Sequence, residues 1–210
     1  MGTSDRVVVF DAMGVLYEDG DDVAAQLIPY LRDRGCSLTD TEITDLYRQA
    51  SLGYMSSDAL WSAYGVSSDD ARYCLGHRLT PGIDQLLADL HDHGVRMACL
   101  SNDVSEWSIL LRDRFALSRW IDTWVISGDI GLRKPDPEAF RTLSARLGVP
   151  LELLVFFDDM PRNVEAAQAL GIDAVKFTGA EACREALLIR GLVAEPSYSP
   201  HTYEERQSTR

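Results

Sequence analysis

The residues with something to offer chemically are Asp11, Ser101, Asn102, Lys134, Asp158 and Asp159, and their positions say more than their types. The apolar run Val7-Val8-Val9-Phe10 stops at Asp11. Val95–Leu100 stops at Ser101-Asn102-Asp103, and Leu153–Phe157 stops at Asp158-Asp159. Lys134 follows a further run, Thr123–Ile126, by a short loop. In an open parallel sheet the ligand lies beyond the carboxyl ends of the strands, so these side chains converge on one crevice. Crowded carboxylates repel unless a cation joins them, and an oxygen-rich set with few protein ligands suits Mg²⁺. The small-residue turns Met13-Gly14 and Ser101-Asn102 aim backbone N–H groups at an anion. A metal, an ammonium, oriented amides and a carboxylate ending the first strand make a phosphoryl-transfer site with Asp11 as nucleophile. Any one such residue alone is as well explained as a helix cap; recurrence at successive strand ends is what indicates a site.

The elements that must hold these residues are legible as alternation. The four runs above and Ala174–Phe177 are short, continuous and apolar, as strands buried on both faces are. Between them lie amphipathic segments. Gly82–His93 has Ile83, Leu86, Leu87 and Leu90 at helical spacing and stops at Gly94. Asp136-Pro137 opens a helix that runs to Gly148, and Val164–Leu170 stops at Gly171. The pattern predicts an α/β fold, a doubly wound parallel sheet. It breaks once, between about residues 21 and 76, where only helices are expected: Asp21–Arg34, Thr39–Ser51 behind the capping box Thr39-x-x-Glu42, Ser57–Tyr64 and Ser67–Leu75. So long an insertion exceeds what a crossover needs and reads as a small helical cap over the strand ends. The expected division is a core of residues 1–18 and 78–194, a cap of 19–77 and a polar tail of 195–210.

Composition excludes several classes. The 210 residues are 46% hydrophobic and 25% charged, an ordinary globular mix. Asp plus Glu is 33 against 20 for Lys plus Arg, a net charge of -13. That field repels nucleic acid and anionic lipid, so neither is an expected partner. No apolar run approaches a membrane span, and the N-terminus lacks a signal-peptide pattern. Cys36, Cys74, Cys99 and Cys183 are scattered, without zinc spacing, and read as buried thiols of a cytoplasmic protein.

Four motifs in order carry a resemblance. Phe10-Asp11-Ala12-Met13-Gly14-Val15-Leu16, Leu100-Ser101-Asn102, Lys134-Pro135-Asp136-Pro137, and Phe157-Asp158-Asp159 with Asn163, Ala166-Ala167 and Gly171-Ile172 resemble the haloacid dehalogenase-like (HAD) hydrolase superfamily over about residues 6–180. The insertion resembles that superfamily's small helical cap. The details are most similar to small phosphatases such as the N-terminal domain of mammalian epoxide hydrolase. The resemblance implies a Rossmann-like core and a transient aspartyl-phosphate on Asp11. It implies Mg²⁺ held by Asp11, the Met13 carbonyl and Asp158, with Asp159 as ligand or close behind. Met13 and Gly14, Ser101 and Asn102 would bind the phosphoryl group of a small phosphorylated substrate, and Lys134 would neutralise its charge.

One position departs. Phosphatases of the superfamily carry a second aspartate two residues after the nucleophile, for proton transfer; here Met13 stands there. General acid–base catalysis is worth roughly 10²–10⁴ in rate. Three readings follow: a phosphatase or phosphotransferase whose acid is impaired or replaced, with His77, Glu18 and Asp19 as stand-ins; a metal-free 2-haloacid dehalogenase, which needs no second acid; or a catalytically silent phospho-ligand binder. The pair Asp158-Asp159 favours the first. No arginine in the early insertion stands out as a carboxylate binder for the second. Trp61 is expected in the cap interior, and Trp107, Trp120 and Trp124 between helix and sheet.

Overall fold

The computed structural model describes residues 5–194; the predicted tail 195–210 falls outside them. Five parallel strands form one sheet in the order β3-β2-β1-β4-β5: β1 (Val7–Phe10), β2 (Arg96–Ser101), β3 (Thr123–Ile126), β4 (Leu154–Asp158) and β5 (Asp173–Lys176). β1 is central, flanked by β2 and β4, so its carboxyl end lies at the reversal of strand order where an α/β sheet opens a crevice. Ser101 and Asp158 are the last paired residues of their strands, in register with Ile126 and Lys176, so both strands run one residue beyond the apolar runs.

Alternation along the strands sorts side chains to two faces. Val7, Val9, Ala98, Leu100 and Phe156 pack against α8 (Pro137–Leu147) and α9 (Pro161–Ala169). Val8, Phe10, Met97, Cys99 and Phe157 face α5 (Ile83–Asp92), α6 (Ser105–Arg114) and α10 (Ala180–Ile189). With both faces covered, continuous apolar strands are what the sheet requires.

Between β1 and α5 the chain is helical. A π-helical turn over Val23–Leu27 runs into α1 (Ile28–Asp33), followed by α2 (Asp40–Ala50), α3 (Ser57–Tyr64) and α4 (Asp70–Cys74). The expected single helix from Asp21 is therefore two pieces. Pro29 has no N–H to close an ordinary turn, and the Ile28 N–H reaches back five residues to the Val23 carbonyl. The Thr39–Glu42 capping box forms as the sequence indicates. The helix expected at Ser67 starts only at Asp70, because Asp69 is the residue whose side chain caps it.

The insertion has no separate core. Its Leu27, Leu31, Ile43, Leu60 and Trp61 are continuous with the apolar layer of β1, α5 and α6. The joint is aromatic: Trp107 of α6 lies 4.5 Å from Tyr73 and 5.5 Å from Trp61, ring centroid to centroid. Trp107 thus meets the insertion, a correction to its expected place between helix and sheet. Both indole N–H groups donate to one oxygen of Asp70, at 2.5 and 2.6 Å. No helix among the described residues is long and apolar enough to cross a membrane.

Candidate active site

Asp11 follows β1 directly, its N–H donating to the Phe157 carbonyl at 2.9 Å, so the nucleophile candidate is tied to the neighbouring strand. The Ala12 N–H donates to Asp11 Oδ1 at 2.6 Å, and the Ala12 carbonyl accepts from Val15, Leu16 and Tyr17, folding the next residues into a tight loop. Gly14 has φ +75°, and a Cβ there would lie 2.6 Å from the Asp159 carboxylate. Only glycine brings this loop so close to the β4 end.

Lys134 is the hub. Its Nζ lies 2.7 Å from Asp11 Oδ1 and 2.7 Å from Asp158 Oδ2, with all three side chains nearly sealed from solvent. Asn102 positions it, accepting from the Lys134 N–H at 2.8 Å and donating to the Lys134 carbonyl at 2.9 Å. Asn102, expected on the phosphoryl group, lends its side-chain carbonyl and one amide hydrogen to this brace and still lines the cleft. Asp158 is fully buried and held by the Met160 N–H at 2.8 Å and by Asn163 Nδ2 at 3.0 Å to each oxygen.

One ammonium does not neutralise three acids. Burial and the Asp158 charge push the Asp11 carboxyl well above its usual range, although Lys134 opposes the shift. Burial and Asp158 also raise Asp159. Burial acts upward on Asp158 as well, but Lys134, the Met160 N–H and Asn163 outweigh it and hold it low. Burial alone would lower the lysine; the two aspartates keep its ammonium above the ordinary value. One oxygen from each of Asp11, Asp158 and Asp159 lies within 4.8 Å of the others. Asp159 Oδ1 and Ser101 Oγ are buried without a hydrogen-bond partner among the described residues. Clustered acids with an orphaned oxygen fit a divalent cation. The Ser101 hydroxyl, equally unpartnered, is available to an oxyanion.

A cleft of about 650 Å³ opens over this cluster. Asp11, Met13, Ser101, Asn102, Lys134 and Asp159 line its floor, while Asp158 and Gly14 stand behind it. The insertion supplies the opposite wall, including Asp21, Asp22, Tyr47 and Arg48.

A family profile described as haloacid dehalogenase-like hydrolase matches residues 6–171. The chain belongs to the haloacid dehalogenase-like hydrolases. It is 30% identical to the phosphoglycolate phosphatase of Pseudomonas putida over 194 residues, 84% of this chain and 71% of the relative. It is 29% identical to that of Pseudomonas fluorescens, over 83% and 70%. Among solved structures, a predicted HAD-like hydrolase from Porphyromonas gingivalis superposes with TM-score 0.71 at 22% identity, covering 88% of this chain and 96% of that one. A HAD family enzyme from Bacteroides thetaiotaomicron, in complex with magnesium and inorganic phosphate, gives 0.69 at 19%, over 83% and 94%. At these identities the structures speak for the fold.

Several candidates for this haloacid dehalogenase-like hydrolase need correction. None of the three proposed stand-in acids lines the cleft. Glu18 pairs with Arg78 at the surface, Asp19 accepts from Gln26 at 2.6 Å, and His77 is buried behind the cleft wall. Asp22 lines it instead. Arg48 was also missed: α2 carries Thr44, Tyr47 and Arg48 to the cleft at spacings of three and four residues. That spacing was readable, but not the direction in which α2 faces. Arg133 turns from Lys134 toward the insertion, donating to Ser51 Oγ.

Proposed function

We propose that this hydrolase is a Mg²⁺-dependent phosphatase acting on a small phosphorylated metabolite. The observation that carries the reading is the Asp11–Lys134–Asp158 cluster, with Asp159 beside it, on the floor of a cleft. A dehalogenase has no use for three clustered acids. The relatives named phosphoglycolate phosphatase favour an ester of phosphoric acid. Four buried free cysteines suit a reducing cytoplasm. The helical insertion acts as a cap, its Arg48 facing the substrate across the cleft.

Asp11, Asp158, Asp159 and the Met13 carbonyl would hold Mg²⁺, which when bound supplies positive charge to the phosphoryl oxygens and lowers the proton affinity of Asp11. An Asp11 carboxylate oxygen forms a bond to phosphorus as the ester P–O bond breaks, giving an aspartyl-phosphate and a leaving alkoxide that takes up a proton to depart as the alcohol. Lys134 stays against the oxygens that gain charge, and the Ser101 hydroxyl donates to another. Water then attacks the acyl phosphate, releasing inorganic phosphate and restoring Asp11. Met13, a thioether, takes no part in proton transfer.

The deciding experiment is a panel of p-nitrophenyl phosphate, 2-phosphoglycolate and 2-chloropropionate, with Mg²⁺ and with EDTA. Phosphate release only with Mg²⁺ is expected, falling at least ~10³-fold in Asp11→Asn, which lacks the nucleophile. Chloride release in EDTA establishes the dehalogenase reading instead, and neither product establishes a binding protein.

A further inference from the structure

The cleft holds a carboxylate that the mechanism above leaves idle. Asp22 lines the cleft from the insertion side, yet only 7% of its side chain is exposed. Behind it stands His77, with 1% of its side chain exposed. His77 Nε2 is 3.9 Å from Asp22 Oδ2, and neither ring nitrogen has a hydrogen-bond partner among the described residues. Tyr73 fixes both groups. Its hydroxyl donates to Asp22 Oδ2 at 3.3 Å, and its ring meets the imidazole edge-on at 5.2 Å; Tyr17 closes the other contact at 6.2 Å. A sealed imidazole with two free nitrogens beside a carboxylate that reaches the cleft is an arrangement for carrying a proton.

We propose that Asp22, positioned by His77, is the proton donor and acceptor of the reaction, replacing the acid that Met13 cannot supply. The proposal rests on the phosphatase reading. In this role Asp22 carries a proton into the reaction. As the Asp11–phosphorus bond forms and the ester bond breaks, that proton passes from the Asp22 carboxyl to the leaving oxygen, which departs as an alcohol. When water attacks the aspartyl-phosphate, Asp22 takes the water's proton and is restored. The groups that bear on Asp22 are Tyr47 from α2, Tyr64 from α3, Tyr73 and Cys74 from α4, and Asp103 beyond β2, with Arg133 acting on Asp103. Asp103 is itself pushed up to about 8, by burial first and then by Asp22.

The test is a series of phosphate esters graded by leaving-group basicity, from p-nitrophenyl phosphate through phenyl phosphate to 2-phosphoglycolate. It is read as kcat/KM, which covers only the steps through phosphoenzyme formation. In Asp22→Asn the slope of log kcat/KM against leaving-group pKa steepens. The loss on 2-phosphoglycolate exceeds that on p-nitrophenyl phosphate by about 10²-fold, the size of a lost general acid. Asp22→Ser, which still accepts from Tyr73, repeats the series should the asparagine variant melt early. In His77→Gln the basic limb of the 2-phosphoglycolate pH profile moves by half a unit or more. Parallel slopes in wild type and both Asp22 variants overturn the proposal while leaving the phosphatase reading intact. An unmoved limb removes His77 from it. A wild-type chain that releases phosphate from none of the esters overturns both readings.

Discussion

Two groups of buried acids stand at the cleft and behind it, and they solve the same electrostatic problem differently. On the sheet side Asp11 and Asp158 share the Lys134 ammonium at 2.7 Å each. Asp22 of the insertion wall bears on Asp103, which lies in the core beyond β2 and outside the cleft lining; Arg133 only moderates Asp103, whose carboxyl is pushed up to about 8. Charge pairing holds the Asp158 carboxyl low, as a metal ligand needs, whereas burial and the Asp158 charge leave Asp11 raised in spite of Lys134. Proton retention keeps a group neutral, as an acid or a structural hydrogen-bond donor needs. The cleft floor thus rests on one ammonium shared by two acids, while Asp103 behind the cleft has burial without a cation that outweighs it.

Removing the pairing should have the largest effect. Lys134→Met leaves two buried carboxylates facing each other, and truncating one partner of a buried charge cluster costs about 3–5 kcal/mol. Urea unfolding in EDTA measures it. Because a divalent cation replaces the missing positive charge, excess Mg²⁺ should restore much of the loss in the variant while adding less to wild type. A variant as stable as wild type in EDTA would show that the floor does not depend on its lysine.

The two sides also differ in how far the sequence discloses them. Asp11, Ser101, Lys134 and Asp158 follow or end apolar runs, and a strand end fixes where a side chain goes once the sheet order is known. What the runs could not show is that Asn102 would be taken up bracing Lys134, since that depends on how the loop after β3 closes. The wall was less legible. The helices of the insertion were readable from caps and spacing, but which faces they turn to the cleft is set by packing against α6. There the Trp61–Trp107–Tyr73 contacts join residues more than thirty positions apart. Asp22 stands at the N-cap position of its helix, yet its side chain makes no capping bond and accepts from Tyr73. His77 looked like the cleft residue and stands one layer behind it.

The second prediction concerns the proton-holding side. The folded chain keeps the Asp103 proton up to about pH 8, whereas the unfolded chain releases it near pH 4. The native state therefore binds more protons between those values. This contribution to stability is fully present below the unfolded value and is lost as pH rises through the folded one. Asp103→Asn, which needs no proton, should flatten that decline, becoming more stable than wild type at pH 8 by a margin that vanishes near pH 4. Equal pH slopes in the two proteins would mean that Asp103 is ionised in the fold.

The smallest effect belongs to an acid that has the floor's pairing without its burial. Asp173 of β5 accepts from Arg6 at 2.5 Å and from Arg190 at 2.6 Å, and about a third of its side chain is exposed, 34%. The Arg190 hydrogen bond is the main reason its carboxyl sits below the ordinary range, with Arg6 adding to it against a smaller burial effect. Its stabilisation is thus present above the usual carboxylate pKa and is lost as pH falls through the lowered folded value. Solvent screens the pair, so Asp173→Asn should cost less than about 1 kcal/mol, and the cost should shrink as salt rises. The Lys134→Met loss, sealed from counterions, should change far less over the same salt range. If both losses fade together with salt, burial is not what separates the floor from an ordinary surface bridge. If only the Asp173 loss fades, low dielectric is the property that makes the Asp11–Lys134–Asp158 cluster suited to chemistry.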